Sequence, residues 1–196
     1  MTKLLLLLPL AASVAFAQEA SPVLTPTDQV RLQMHEYYRG ERLSGFVPFT
    51  GSGVGSLVAG SLLLASNTEL GRGAGWVNLS FGVLEVVAGL YFALSSYGME
   101  RSLDAALTAN PAEFARTERE RMARITNRVQ PILLAVEGVI SAGGGVVAGV
   151  GALQKNDLML GLGLGFAVQG LVMFLIDWAV LDRASAYGTA LSIFQF

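Results

Sequence analysis

Residues 129–154 read VQPILLAVEGVISAGGGVVAGVGALQ and contain one ionisable side chain, that of Glu137. A segment this long and apolar is typical of a membrane-spanning helix, because a hydrocarbon core of roughly 30 Å requires about 20 helical residues. Three further windows have at most one ionisable group each: residues 43–66, 73–98 and 158–181. The sequence therefore predicts four transmembrane helices in an all-α membrane protein.

The overall composition agrees with this prediction. The chain has 196 residues, of which 53% are hydrophobic and 14% charged, and its mean hydropathy is +0.54. A soluble domain carries about 25% charged residues, so this chain lacks the polar surface that water requires. The absence of cysteine excludes disulfides and thiolate chemistry. A net charge of −2, without a basic run, argues against nucleic-acid binding.

The N-terminus has the layout of a secretory signal peptide. Lys3 precedes an apolar stretch, and the small residues around Ala17 form a cleavage site, so residues 1–17 are predicted to be removed. Residues 18–26 read as a flexible leader. Export of this kind predicts a protein of the bacterial cell envelope, most simply of the cytoplasmic membrane.

Two alternatives for membrane and orientation stay open. The chain ends in Phe194-Gln195-Phe196, a pattern that resembles the end of an outer-membrane barrel, although the apolar windows lack the alternation of barrel strands. A cleaved signal peptide places the termini outside the cytoplasm. The positive-inside rule places them inside, because ten arginines lie on that side of the spans and only Arg72 and Lys155 on the other.

The chain also aligns with itself at a shift of 89 or 90 residues. Residues 58–60 (Val-Ala-Gly) fall on residues 147–149, and after one slip residues 95–98 fall on residues 185–188. We therefore expect two tandem helix-hairpin repeats, parallel to each other about the membrane normal. Their predicted parts are a first repeat over 27–107 with spans 44–66 and 74–98, and a second over 108–196 with an amphipathic helix 111–129, spans 131–153 and 158–181, and a C-terminal extension.

An amphipathic helix precedes each hairpin. Val30, Met34 and Tyr37 fall on one face of the first. Asn110 and Pro111 are a helix-start signal for the second, in which Phe114, Glu118, Met122, Ile125 and Val129 share one face. These segments are predicted either to lie on the membrane surface or to extend the helices outside the bilayer.

Small residues recur at helical spacing within the predicted spans. Helices in lipid gain little from hydrophobic burial, so small residues favour association by letting backbones approach. The glycines predicted to mediate helix packing are Gly51, Gly55, Gly60, Gly145, Gly149, Gly161 and Gly165. The same faces predict a possible homo-oligomer, with the lipid bilayer as the other partner.

Three carboxyl side chains lie within the apolar windows and form the candidate ion or proton site, together with Gln169. Glu85 is central in the second span, where one alternative is a hydrogen bond to Gln169 or Asn78. Glu137 and Asp177 fall at similar depths, so a hairpin of the last two spans would bring them together. The alternative is that both lie at the wet interface. Buried ionisable groups are costly in a bilayer and usually functional.

No pattern of catalytic, metal-ligating or cofactor-binding residues appears, so we expect neither an enzyme nor a cofactor, and no small-molecule substrate is evident. The single histidine, His35, is expected at the surface. The leading hypothesis is a structural or interaction role in the cell envelope. The alternative functions are a small ion- or proton-coupled transporter or channel, and an outer-membrane protein.

Overall fold

The computed structural model describes residues 24–193, which form four long helical rods. Each rod contains a stretch that is long and apolar enough to span a membrane. The rods consist of α1 (Pro26–Ser44), a π-helical turn (Gly45–Thr50) and α2 (Gly51–Ala65); α3 (Glu69–Ala109); α4 (Pro111–Arg124), a second π-helical turn (Ile125–Val129) and α5 (Gln130–Leu153); and α6 (Asp157–Ile193). Residues 24–193 contain no β-strand. The barrel alternative is therefore wrong for this range, and the predicted signal peptide and the terminal phenylalanines lie outside it.

Side-chain caps define where the rods begin. The Thr25 hydroxyl accepts a hydrogen bond from the Asp28 N–H (3.2 Å), and Asn110 Oδ1 accepts one from the Glu113 N–H (3.2 Å). Each cap satisfies a backbone donor that the first helical turn leaves free. The two hairpin turns are alike: Asn67 and Lys155, 88 residues apart, have φ values of 53° and 55°. Each hairpin therefore reverses through one left-handed residue.

Both π-helical turns are associated with proline. Pro48 lies inside the first, and Pro131 lies two residues after the end of the second. Proline has no N–H to donate, so the regular helical ladder is interrupted and a π-turn keeps the rod continuous. The second turn also shifts the helix face. Phe114, Glu118 and Met122 are buried as predicted, but Val129 is exposed because the wider turn rotates the side chains that follow it.

The termini of the rods form a bundle with a conventional hydrophobic core, which we call the polar-end bundle. It comprises α1, α4 and the last parts of α3 and α6. Large apolar side chains fill its interior: Val30, Met34, Tyr37, Tyr38, Leu107, Phe114, Met122, Tyr187 and Leu191. The Tyr37 and Tyr187 rings stack with their centroids 4.7 Å apart. The sequence-predicted amphipathic faces are thus buried in helical extensions of the spans.

The remaining part of the rods, which we call the apolar half, comprises α2, α5 and the first parts of α3 and α6. Large side chains fill the interior of the polar-end bundle, whereas in the apolar half they lie on the outside. Its large side chains point outward, with Val139 71% and Leu94 70% exposed, whereas its interior contacts are made by small residues. A Cβ atom on Gly60 would lie 2.9 Å from the Gly75 carbonyl oxygen. Only glycine therefore permits this approach of α2 to α3. Large residues outside and small ones inside are expected where lipid is the solvent.

The helices of the apolar half pack in the order α2, α3, α6, α5. The central helices α3 and α6 are parallel and meet through Gly73 and Gly161. Gly73 contacts Leu158 and Leu162, and Gly161 contacts Leu70 and Ala74. Leu158 and Leu162 lie 88 positions after Leu70 and Ala74, and Gly161 lies 88 positions after Gly73. Each glycine therefore contacts the equivalents of the residues that surround the other glycine. The α3–α6 contact is therefore pseudo-symmetric.

Candidate functional site

Glu137 of α5 and Asp177 of α6 lie together inside the apolar half. Their residues are 4% and 8% exposed, and their carboxyl groups are within hydrogen-bonding reach of each other. Gly170 makes this possible: a Cβ on it would lie 2.9 Å from the Glu137 carbonyl oxygen, so α6 approaches α5 closely two turns from Asp177. The predicted juxtaposition is present, and both residues are buried rather than exposed to solvent.

Two ionised carboxylates at hydrogen-bonding distance repel each other, so a bound proton or cation would stabilise the pair. Carboxylate oxygens only accept hydrogen bonds, so a bond between them requires a proton on one partner, and a cation between them would serve the same purpose. Glu137 Oε2 is buried without a donor. The pair can therefore take up or release a proton or a cation.

Glu85 of α3 occupies a second polar cluster, formed with α2 and α6. The Ser52 hydroxyl donates to Glu85 Oε2 (2.9 Å), and Ser56 is the other side chain within hydrogen-bonding reach of this carboxyl. Gln169 Nε2 donates to Ser56 Oγ (2.7 Å) and to Asn78 Oδ1 (2.8 Å). Ser56 thus links Glu85 with Gln169. The expected direct bond from Glu85 to Gln169 or Asn78 is not the one formed.

Glycines set the geometry of this cluster. A Cβ on Gly53 would lie 2.8 Å from the Gly82 carbonyl oxygen, which brings α2 close enough for Ser52 and Ser56 to reach Glu85. In the sequence, the two serines are small residues at the four-residue spacing typical of helix packing. Their hydroxyl groups were the available signal for a polar site.

Charged residues form a layer between the two halves of the molecule. Burial raises the pKa of Glu41, against the opposing influence of Arg183 and Arg121, while the charge of Asp177 adds to the increase. Arg183 donates to the Ser44 hydroxyl, which is itself buried. Sequence reasoning missed Glu41 and Arg183 as neighbours of the carboxyl pair, because they lie outside the apolar windows.

A partly buried ion pair lies in the polar-end bundle. Arg121 donates to both oxygens of Glu118 (2.7 and 2.6 Å) and to the Tyr38 hydroxyl (2.6 Å). Burial opposes the charge of Arg121, but the bonds to Glu118 outweigh it and raise the arginine pKa. Burial also raises the pKa of Tyr38. The Glu118 carboxylate and the Tyr38 hydroxyl both accept hydrogen bonds from Arg121, so we infer a structural role for these three side chains.

His35 lies on the bundle surface beside Glu100, which also accepts from Arg42. Burial would raise the pKa of Glu100, but hydrogen bonds from His35 and Arg42 hold it below its usual range. His35 is thus a half-exposed surface partner. Within residues 24–193, no three His, Asp or Glu side chains are grouped as metal ligands.

The predicted packing glycines divide into two groups. Gly60, Gly161 and Gly165 contact neighbouring helices closely. Gly51, Gly55, Gly145 and Gly149 have no atom of residues 24–193 within 4 Å of an added Cβ, so they make no close helix contact within that range. Their packing against another chain stays a prediction, because α2 and α5 each carry small residues on two faces.

Comparison with protein-family models, with curated proteins and with solved structures found no match for this chain.

Proposed function

We propose that this chain is a multi-pass protein of the bacterial cytoplasmic membrane that acts through association with a second copy of itself. The outward position of large apolar residues in the apolar half supports membrane insertion. The pseudo-symmetric α3–α6 contact and the paired hairpin turns support a tandem duplication, with 88 residues between equivalent positions rather than 89 or 90.

One face of α5 carries the proposal of self-association. Its outward residues follow alternating steps of three and four and are all small: Ala135, Gly138, Ala142, Gly145, Gly149 and Ala152. Neighbouring positions on the same helix, such as Val139 and Val146, are large and exposed. Lipid contact alone does not require a continuous row of small residues, whereas a second helix at close range does. A second copy offers a matching face of the same kind.

Cysteine crosslinking tests this association directly, because the natural chain contains no cysteine. Gly145→Cys should form a disulfide-linked dimer in membranes under mild oxidation. Leu94→Cys, at an exposed apolar position on α3, is the matched control and should remain monomeric. Equal crosslinking of the two variants, or none at Gly145, would contradict self-association through α5.

The contact between Glu137 and Asp177 favours a second candidate function, ion- or proton-coupled transport. A carboxyl pair buried between spans that can bind and release one positive charge is the minimum such a protein needs. In proteoliposomes, the wild-type chain should then dissipate an imposed proton or cation gradient faster than empty liposomes. Glu137→Gln should abolish the difference, and Glu69→Gln, at an exposed carboxylate, should preserve it. Flux equal to that of empty liposomes would exclude this function.

A further inference from the structure

The cluster around Glu85 is a closed group of oxygen atoms contributed by three helices. Ser52 and Ser56 come from α2, Glu85 from α3 and Gln169 from α6. The Glu85 and Gln169 residues are only 1% and 2% exposed. Both lie in the apolar half, among helices packed through glycine contacts. Whatever neutralises Glu85 must therefore be bound within the cluster.

The cluster has more acceptors than donors. Gln169 uses its amide nitrogen for Ser56 and Asn78, and the amide nitrogen of Asn78 donates to the Ala74 carbonyl oxygen (2.8 Å). The Ser52 hydroxyl has a single proton, which either Glu85 or the Phe49 carbonyl oxygen can accept. The Ser56 hydroxyl accepts from Gln169 and has one proton available for the Glu85 carboxyl. Within residues 24–193, Glu85 Oε1 and Gln169 Oε1 are nevertheless both buried without a donor. Buried acceptors of this kind are normally satisfied.

The electrostatic balance points in the same direction. Glu85 forms no ion pair within residues 24–193, and the side chains that act on it are the hydroxyls of Ser52 and Ser56. One unpaired carboxylate in an apolar interior is strongly unfavourable, and a single positive charge neutralises it. A divalent cation would leave an excess positive charge in the same environment.

We propose that Glu85, Ser52, Ser56 and Gln169 bind one dehydrated monovalent metal cation, for which Na⁺ is the probe. The ligands are carboxylate, hydroxyl and amide oxygens, the donor atoms that hard cations prefer. The cation neutralises the negative charge of Glu85. It also satisfies the two acceptor oxygens that have no donor, Glu85 Oε1 and Gln169 Oε1. This site is separate from the Glu137–Asp177 pair, and it does not depend on self-association or transport.

Thermal unfolding of the full chain in lipid nanodiscs tests the proposal. The midpoint should rise by about 5 °C or more in NaCl relative to choline chloride at equal ionic strength, once Na⁺ exceeds its dissociation constant by about 100-fold. Glu85→Gln should remove the difference, and Ser56→Ala should weaken Na⁺ affinity about 10-fold or more. Glu69→Gln, an exposed carboxylate on the same helix, should keep the full response.

The wild-type measurement is decisive even if the Glu85 variant fails to fold. Equal midpoints in NaCl and choline chloride would overturn the proposal. A midpoint that changes with pH but not with Na⁺ would also overturn it, because Glu85 would then carry a proton. A Na⁺ response that persists in both Glu85→Gln and Ser56→Ala would place the cation elsewhere.

Discussion

Replacing Gly60 with alanine should destabilise the protein relative to the same replacement at Gly55. Both glycines lie in α2, so both variants share the gain in helix propensity of about 1 kcal/mol. An added Cβ on Gly60 would lie 2.9 Å from both the Gly75 carbonyl oxygen and the Leu79 nitrogen. These are backbone atoms, so relief requires α2 and α3 to separate. At Gly55 the added methyl group meets no atom within 4 Å.

The difference between the two variants isolates the cost of overpacking, which is about 1–3 kcal/mol in well-packed interiors. It can be measured as the difference in unfolding free energy during titration with a denaturing detergent, followed by circular dichroism. Gly60→Ala should unfold at the lower detergent fraction. Equal stability of the two variants, or a less stable Gly55→Ala, would show that α2 presents a different face to α3 and would refute the packing described above.

Two further predictions concern the polar-end bundle. Met34→Ala should lower the unfolding free energy by about 2–5 kcal/mol, because Met34 is fully buried and the change leaves a cavity. Urea-dependent proteolysis of α1 would measure the loss. Unchanged protection of α1 from the protease would contradict a packed bundle core. The pKa of Glu41 is raised, so the folded state retains a proton that the unfolded state releases. Protonated Glu41 therefore contributes to the unfolding free energy below the ordinary glutamate pKa. That contribution is lost as pH rises towards the pKa of the folded state. Glu41→Gln should therefore flatten the decline in unfolding free energy as pH rises above the ordinary glutamate pKa, and an unchanged slope would assign the decline to other groups.

The four apolar segments were predictable because the preference for lipid or water is a local property of the sequence. The fate of the amphipathic segments was not. Residues 26–44 and 111–124 bury their faces against each other and against the ends of α3 and α6. That outcome depends on contacts such as Tyr37 with Tyr187, which are far apart in the chain. A membrane surface would have satisfied the same hydrophobic pattern.

The candidate site was predictable where depth alone decided it. Glu137 and Asp177 meet because equal distances from the ends of two adjacent spans give equal depths. The partners of Glu85 depend instead on the rotation of α2 about its axis. That helix carries one row of small residues at 51, 55 and 59 and another at 52, 56 and 60. Spacing cannot decide between them, and the inward row delivers Ser52 and Ser56 to the carboxyl group.

Each rod runs without a break from the polar-end bundle into the apolar half, and this continuity gives the molecule the mechanics of a lever. A rod of about 40 residues is roughly 60 Å long, so tilting it by about 5° at one end displaces the other by about 5 Å. That displacement is comparable to the 4.7 Å separation of the stacked Tyr37 and Tyr187 rings. Glu85 lies near the middle of α3, so tilting the helix by about 5° around that point would displace its bundle end by roughly 3 Å.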